Sequence, residues 1–314
     1  MSDELGTKRG ELGEAVVGLV AMLREHGMPS ARNLLVTVFG DAVAPHDATV
    51  PVQALVQLVD GVGVNDRLVR TSLTRLVRDG ILRNEKVGRR SIYSIDPVSR
   101  SLFEQADNRI YRHRELDWDG RWTLAVVDAA SSTAAGRSAL RRELAWLGMG
   151  TVTPNVLASP SLDPKTVTSM LERIGDGHHV LVTRGAAAGG VSTMSDEEIA
   201  RRCAPIDELS DRYLELIDWF EPVAEAFERT SEPSRQDCWT TRLLLIATFR
   251  RVVLIDPALP DRLLPESWSG ATARDLVGSL YHRINGPAEA WLAEVCAEPI
   301  TGWASGSRRL DRFA

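Results

Sequence analysis

At 314 residues, with 44% hydrophobic and 25% charged residues and a net charge of −6, the chain has the composition of a soluble protein of two or three domains. Its three cysteines, Cys203, Cys238 and Cys296, are isolated, which argues against a disulfide framework and against a zinc site of CxxC or CxxH type. No apolar run approaches the ~20 residues that span a bilayer, and the lead MSDELGTKRGELGE has no signal-peptide core, so a cytoplasmic protein with no membrane partner is expected.

Residues 1–29 form an N-terminal extension: a polar lead, then the amphipathic run Val16 to Leu23, read either as a helix packed on the next domain or as a partly ordered arm. Ser30 caps a helix expected over Ala31 to Phe39 and closed by Gly40-Asp41. Pro51, at a first helical position, opens a second helix with Ala54, Leu55, Leu58 and Val59 on its apolar side, ending at Gly61. The third helix is the most informative. Asn65 stands at its N-cap and Gly80 at its C′ position, and Val69, Leu73, Leu76 and Val77 recur at helical spacing on one side. Arg67, Arg70, Thr71, Thr74, Arg75 and Arg78 fall on the other. Two strand-like runs, Ile81 to Arg83 and Ser91 to Ile95, then flank the basic turn Gly88-Arg89-Arg90.

Three helices and a basic-tipped hairpin are the order of a winged helix-turn-helix, expected over 30–98. Such a domain lays its third helix in the major groove, with Arg67, Arg70, Thr71, Thr74 and Arg75 toward DNA. The hairpin tip, Arg89 and Arg90, lies on the phosphates. Charge agrees. Residues 65–93 hold eight Arg or Lys against three acids, net +5, leaving −11 for the rest of the chain. Phosphate neutralisation is local, so an acidic chain can still bind DNA through such a segment.

A linker helix is expected over 99–117. From Trp118 the pattern changes: Trp122 to Val127 reads as a strand, Ser138 to Leu147 as a helix, Gly150 to Leu157 as a strand, Pro164 to Ile174 as a helix and His179 to Thr183 as a strand. This alternation predicts a ferredoxin-like α+β domain over 118–190. The run Gly185 to Gly190 lacks GK[ST] and GxGxxG and is a connector, not a phosphate loop. Residues 191–314 read as a helical domain, with helices over Ile206 to Arg229 (broken or kinked at Pro222), Thr240 to Leu254, Thr272 to Ile284 and Pro287 to Val295.

Several separated runs resemble one family. They are Leu34 to Asp41, Val69 to Gly80, Gly88 to Tyr93, Arg109-Ile110-Tyr111, Trp118 to Thr123, Arg250 to Pro260, Leu263-Leu264-Pro265 and Trp268-Ser269-Gly270. Together, over roughly residues 30 to 295, the chain resembles the PaaX family of bacterial transcriptional regulators. The resemblance implies an α+β multidomain protein with an N-terminal winged helix, a central ferredoxin-like domain similar to the Cas2 nuclease fold and a helical C-terminal domain. It also implies a homodimer on double-stranded operator DNA, with repression relieved by a small effector, phenylacetyl-CoA in the founding group or another acyl-CoA. An acyl-CoA site needs apolar walls and basic residues for phosphate. The candidates are Trp118, Trp122, Trp239, Arg242, Arg250, Arg251, Trp268 and Tyr281, each with a core-packing role as the competing reading.

Catalysis is not expected, nor is a cofactor or metal. The Cas2 likeness raises one alternative, a metal-dependent nuclease using Asp128 at the end of the first central strand, although cleavage of this kind generally wants clustered ligands. A third reading is a structural DNA-binding protein with no effector. His178 and His179, adjacent on the chain, point to opposite faces of a strand and do not share a metal. Ser131-Ser132-Thr133 has no matched histidine and acid, and G-x-S-x-G is absent.

Overall fold

A computed structural model describes residues 10–112, 118–128, 133–174, 179–189, 193–296 and 312–313. The chain divides into two compact units, one formed by residues 1–113, 214–251 and 271–314, the other by residues 114–213 and 252–270.

The first unit begins with α1 (Glu11–His26), so the N-terminal extension contains a helix, with Leu12, Val16, Leu19, Val20 and Leu23 buried. Ser30 caps α2 (Ala31–Thr37), its hydroxyl accepting from the Asn33 amide. The expected stop at Gly40-Asp41 does not occur: residues Val38–Val43 continue as a π-helix, and a 3-10 turn follows over Ala44–His46. Val50–Pro51 form a short strand, β1, before α3 (Val52–Asp60), so Pro51 precedes the helix as its N-cap instead of opening it. The third helix, α4 (Asp66–Arg78), and the strands β2 (Leu82–Val87) and β3 (Arg90–Ile95) complete the segment. The strands are longer than their apolar residues suggested and form an antiparallel sheet of order β1-β3-β2. Helix α4 packs on α2, α3 and β2. Ser99 donates to the Gly80 carbonyl just ahead of α5 (Arg100–Tyr111).

In the second unit, β4 (Trp122–Val127), α6 (Ala134–Leu147), β5 (Gly150–Thr153), β6 (Val156–Ser159), α7 (Pro164–Ile174) and β7 (Val180–Gly185) build a four-stranded antiparallel sheet of order β5-β6-β4-β7. That order is the ferredoxin-like one. The run Gly150 to Leu157, read above as one strand, is a hairpin turning at Pro154-Asn155. Proline cannot donate to a ladder, and both residues favour turns. Ala125, Val127, Leu140, Leu144, Met149, Leu157, Val167 and Met170 form the core between this sheet and its helices. Helix α8 (Asp196–Cys203) packs on β5 so closely that a side chain at Gly150 would collide with Cys203.

Three long helices remain: α9 (Ile206–Arg229), α10 (Arg235–Val253) and α11 (Gly270–Val295). Pro222 does not end α9, and Pro287 lies inside α11, so the two helices expected over 272–295 are one. A proline removes one backbone bond and costs ~3 kcal/mol in isolation. Flanking burial offsets this: Phe220 and Val223 beside Pro222, and Ile284, Ala288 and Leu292 around Pro287, are all buried. None of the described helices is long and apolar enough to cross a membrane.

Candidate nucleic-acid interface

Helix α4 is fixed at both ends by its own sequence. The Asn65 side chain accepts from the Leu68 amide at 2.9 Å, which satisfies a first-turn donor. Gly80, at φ 69°, ends the helix: its amide bonds the Val77 carbonyl, and the Ile81 amide reaches back to Leu76 at 2.9 Å. These are the paired bonds of a Schellman motif, whose left-handed residue is easiest for glycine. Val69, Ser72, Leu73 and Leu76 are buried beneath the helix. Arg67, Leu68, Arg70, Thr71, Thr74, Arg75 and Arg78 are exposed above it.

The exposed cations differ in what holds them. Arg70 Nε donates to Asp66 at 2.7 Å, one turn back, and this bond raises the guanidinium pKa above its ordinary value. Arg67 and Arg75 make no ion pair among the described residues. The Thr71 and Thr74 hydroxyls donate to the Arg67 and Arg70 carbonyls at 2.8 and 2.9 Å. Their protons are spent, and their methyl groups and remaining lone pairs are left outward. Val87 pairs with Arg90, so Gly88-Arg89 is a two-residue turn with Gly88 at φ 63°, the first-position glycine of a II′ hairpin. Arg89 and Arg90 are exposed at this tip.

Leu68 was not singled out by the sequence reading. It is an aliphatic side chain 50% exposed in the first turn of α4, beside Arg67 and in line with Thr71 and Arg75. The available signal was its position: an apolar residue off the stripe formed by Val69, Leu73 and Leu76.

Behind this surface lies a buried ionic cluster of the same unit, centred on Asp41 in the π-helix. Asp41 Oδ1 accepts from Tyr111 Oη at 2.6 Å, Tyr281 Oη at 3.0 Å and Arg312 Nη1 at 2.9 Å. Its Oδ2 accepts from Arg242 Nε at 2.7 Å. Arg242 also donates to Asn285 and Glu289, and Arg312 to Asp107 at 2.8 Å, so both cations are buried but compensated. The Arg312 guanidinium sits 3.9 Å from the centre of the Tyr111 ring. Burial alone would push the Glu289 carboxyl up, but His46 and Arg242 outweigh it and hold the group down at about 2. Burial pushes the Tyr281 phenol up to about 12.

Comparison with known proteins fits these parts. Residues 30–96 match the PaaX-like protein family, residues 115–197 the PaaX protein central Cas2-like domain, and residues 205–294 the PaaX-like protein C-terminal domain. The chain is 31% identical over 287 residues to the transcriptional repressor PaaX of Escherichia coli K12, covering 90% of each protein. The chain belongs to the PaaX family. Among solved structures, the uncharacterized protein Rv0674 from Mycobacterium tuberculosis shares the fold, with a TM-score of 0.51 and 21% identity over 82% of this chain and 98% of that one. Membership makes this PaaX-family chain a transcriptional regulator and not an enzyme.

The nuclease alternative gains nothing from this relationship. Asp128 follows β4, its amide bonded to the His179 carbonyl at 2.9 Å. Among the described residues no three His, Cys, Asp or Glu side chains are grouped to hold a metal ion. Ser131, Ser132 and His178 lie outside the described residues. Burial pushes the thiols of Cys203, Cys238 and Cys296 up to about 12.

The effector candidates divide between the two units. Trp118, Trp122 and Trp268 belong to the second unit of this PaaX-family protein. There Trp118 packs edge-on to Trp122, Arg262 covers its ring at 4.1 Å, Trp122 Nε1 donates to Asp196, and Trp268 packs on Tyr213. In the first unit, Trp239 Nε1 donates to the Leu58 carbonyl, Arg242 and Tyr281 belong to the Asp41 cluster, and Arg251 donates to the Gly27 carbonyl. Arg250 alone of the eight is among the residues lining a cleft between α2, α5 and α10.

Proposed function

We propose that the protein is a sequence-specific, DNA-binding repressor that reads the major groove with α4 and lays the β2–β3 tip on the phosphate backbone, the winged-helix mode. The observation that carries this reading is the outer face of α4: arginines at residues 67 and 75 that make no ion pair among the described residues, on a helix capped at both ends, beside a hairpin tipped by Arg89 and Arg90. Arg67 and Arg75 are the first-choice guanine or phosphate contacts, and Arg70 joins them by exchanging Asp66 for DNA. Thr71 and Thr74 make short polar or methyl contacts. Leu68 lies against a thymine methyl, the one apolar group that the major groove displays.

One such helix reads half a site, so the working form is a cytoplasmic homodimer on a pseudo-palindromic operator. An effector, phenylacetyl-CoA or another acyl-CoA, releases it by binding better to a state whose two reading helices are misplaced. A gel-shift titration with the DNA upstream of the protein's own gene, at two salt concentrations and with or without phenylacetyl-CoA, tests the reading. A specific, salt-sensitive shift released by the thioester is expected. The Arg67→Ala/Arg75→Ala double variant and Arg70→Ala should lose specific binding while keeping their thermal midpoints. Full operator affinity in these variants would sink the assignment of α4.

A further inference from the structure

Residues 312–313 of the first unit lie among their neighbours as a ligand lies in a site. Arg312 is buried. Its guanidinium donates through Nη1 to the Asp41 carbonyl at 2.8 Å and to Asp41 Oδ1 at 2.9 Å, and through Nη2 to Asp107 at 2.8 Å, and it sits over the Tyr111 ring. The backbone is gripped as well. His282 Nε2 donates to the Arg312 carbonyl at 2.6 Å, and the Phe313 amide donates to the Tyr111 carbonyl at 2.9 Å. The centre of the Phe313 ring stands 5.2 Å from that of Tyr111 and 5.3 Å from that of Tyr281. Gly278 of α11 leaves it room, since a side chain there would press on Phe313 Cβ at 3.1 Å.

The walls of this slot hold one another without its occupant. Asp41 keeps Tyr111, Tyr281 and Arg242 when Arg312 is taken away, and Arg242 keeps Asn285 and Glu289. What the slot then lacks is a cation: among the described residues Asp107 has Arg312 as its one ion-pair partner. The vacated slot is an anionic site with aromatic walls. Its chemistry selects a planar, multiply donating guanidinium followed by an aromatic ring. The fit is incomplete at two points. Arg312 Nε has no hydrogen-bond partner among the described residues, and Phe313 takes a left-handed backbone at φ 59°. Both weaken the hold on the occupant.

We propose that this slot is a peptide-binding site for an arginine followed by an aromatic residue, filled in cis by Arg312-Phe313 as a releasable clasp. The clasp closes on the π-helix Val38–Val43, which continues α2. Helix α2 in turn packs on α4, and its Arg32 pairs with Asp79 beyond the end of α4 at 2.7 Å. Release of the clasp therefore loosens the base on which α4 rests. This output rests on the repressor reading; the binding step does not.

The full chain carrying Arg312→Ala and Phe313→Ala has an empty slot, and acetyl-Arg-Phe-amide is the probe. The double variant should lose at least about 5 °C of thermal midpoint and regain most of it in excess peptide, as mass action requires. In calorimetric titrations the peptide should bind the double variant. Wild type, whose slot is filled in cis, should bind it at least about tenfold more weakly. Acetyl-Lys-Phe-amide, a point charge in place of the planar fork, should bind the double variant at least about tenfold more weakly than the arginyl peptide. If the double variant does not fold alone, refolding it with each peptide is the test, and recovery with the arginyl peptide but not the lysyl one is expected. No binding and no recovery, or equal effects of the two peptides, would overturn the proposal. A gel shift on the same samples separates the two readings. The double variant should bind operator DNA several-fold more weakly than wild type and recover with the arginyl peptide; equal affinity would overturn the link to α4. Calorimetric silence with an intact DNA shift removes the clasp alone, whereas peptide binding without any DNA shift in wild type removes the repressor and leaves the clasp.

Discussion

If α4 reads DNA as proposed, the Asp66–Arg70 pair acts as a local brake on that binding. Both side chains are about half exposed, so the pair adds little to stability, but under that reading it holds a cation that phosphate would otherwise take. Asp66→Asn should raise affinity for non-specific DNA several-fold and steepen the salt dependence by about one phosphate contact. An unchanged salt slope in filter binding would show that Arg70 never leaves Asp66. Glu289 makes a second residue-scale prediction. Its folded pKa, about 2, lies below that of an unfolded glutamate, so its contribution is fully present above pH ~4.5 and is lost as pH falls toward 2. The difference in unfolding free energy between wild type and Glu289→Gln should be about 2–3 kcal/mol at pH 7 and vanish near pH 2. A pH-independent difference in urea titrations would contradict the pairing with His46 and Arg242.

At the scale of elements, α4 and its hairpin depend on signals only a few residues long. Gly80→Ala should cost about 1 kcal/mol, because the Schellman turn needs the left-handed backbone. A Gly80→Asn variant should recover part of that loss in the same melts. Such locality explains what could be read in advance. Asn65, Gly80 and the stripe from Val69 to Leu76 announce α4 within the segment itself. The order of elements over 122–185 announces the central sheet, except that Pro154-Asn155 concealed a turn inside a supposed strand. The π-helix was not legible, because nothing within Val38–Val43 distinguishes it from a helix stopped by glycine. Its register is held by Asp41, whose partners lie between 70 and 271 residues away. Pro287 misled for the same reason: distant packing decides whether the helix survives, and a local rule cannot see it.

For the whole molecule, the Asp41 cluster joins segments of the first unit that are far apart in sequence. Asp41→Asn leaves Arg242 and Arg312 buried with their shared charge removed and should destabilise the protein by about 3–5 kcal/mol. A loss below 1 kcal/mol in chemical denaturation would mean that the cluster is not the keystone its geometry suggests. The cluster also bears on modularity. The sequence invites a cut near residue 98, as if residues 30–98 were a cassette. Yet Asp41 within them is neutralised by side chains from α10, α11 and residue 312, and Trp239 of α10 ties down the end of α3 through the Leu58 carbonyl. A fragment of residues 30–98 would carry a stranded carboxylate and an uncovered apolar face. It should be expressed as an unfolded or aggregating chain, and a chimera that grafts these residues onto another regulator should fail. A graft that also brings residues 214–251 and 271–314 should succeed, so the portable unit of this regulator is discontinuous in sequence.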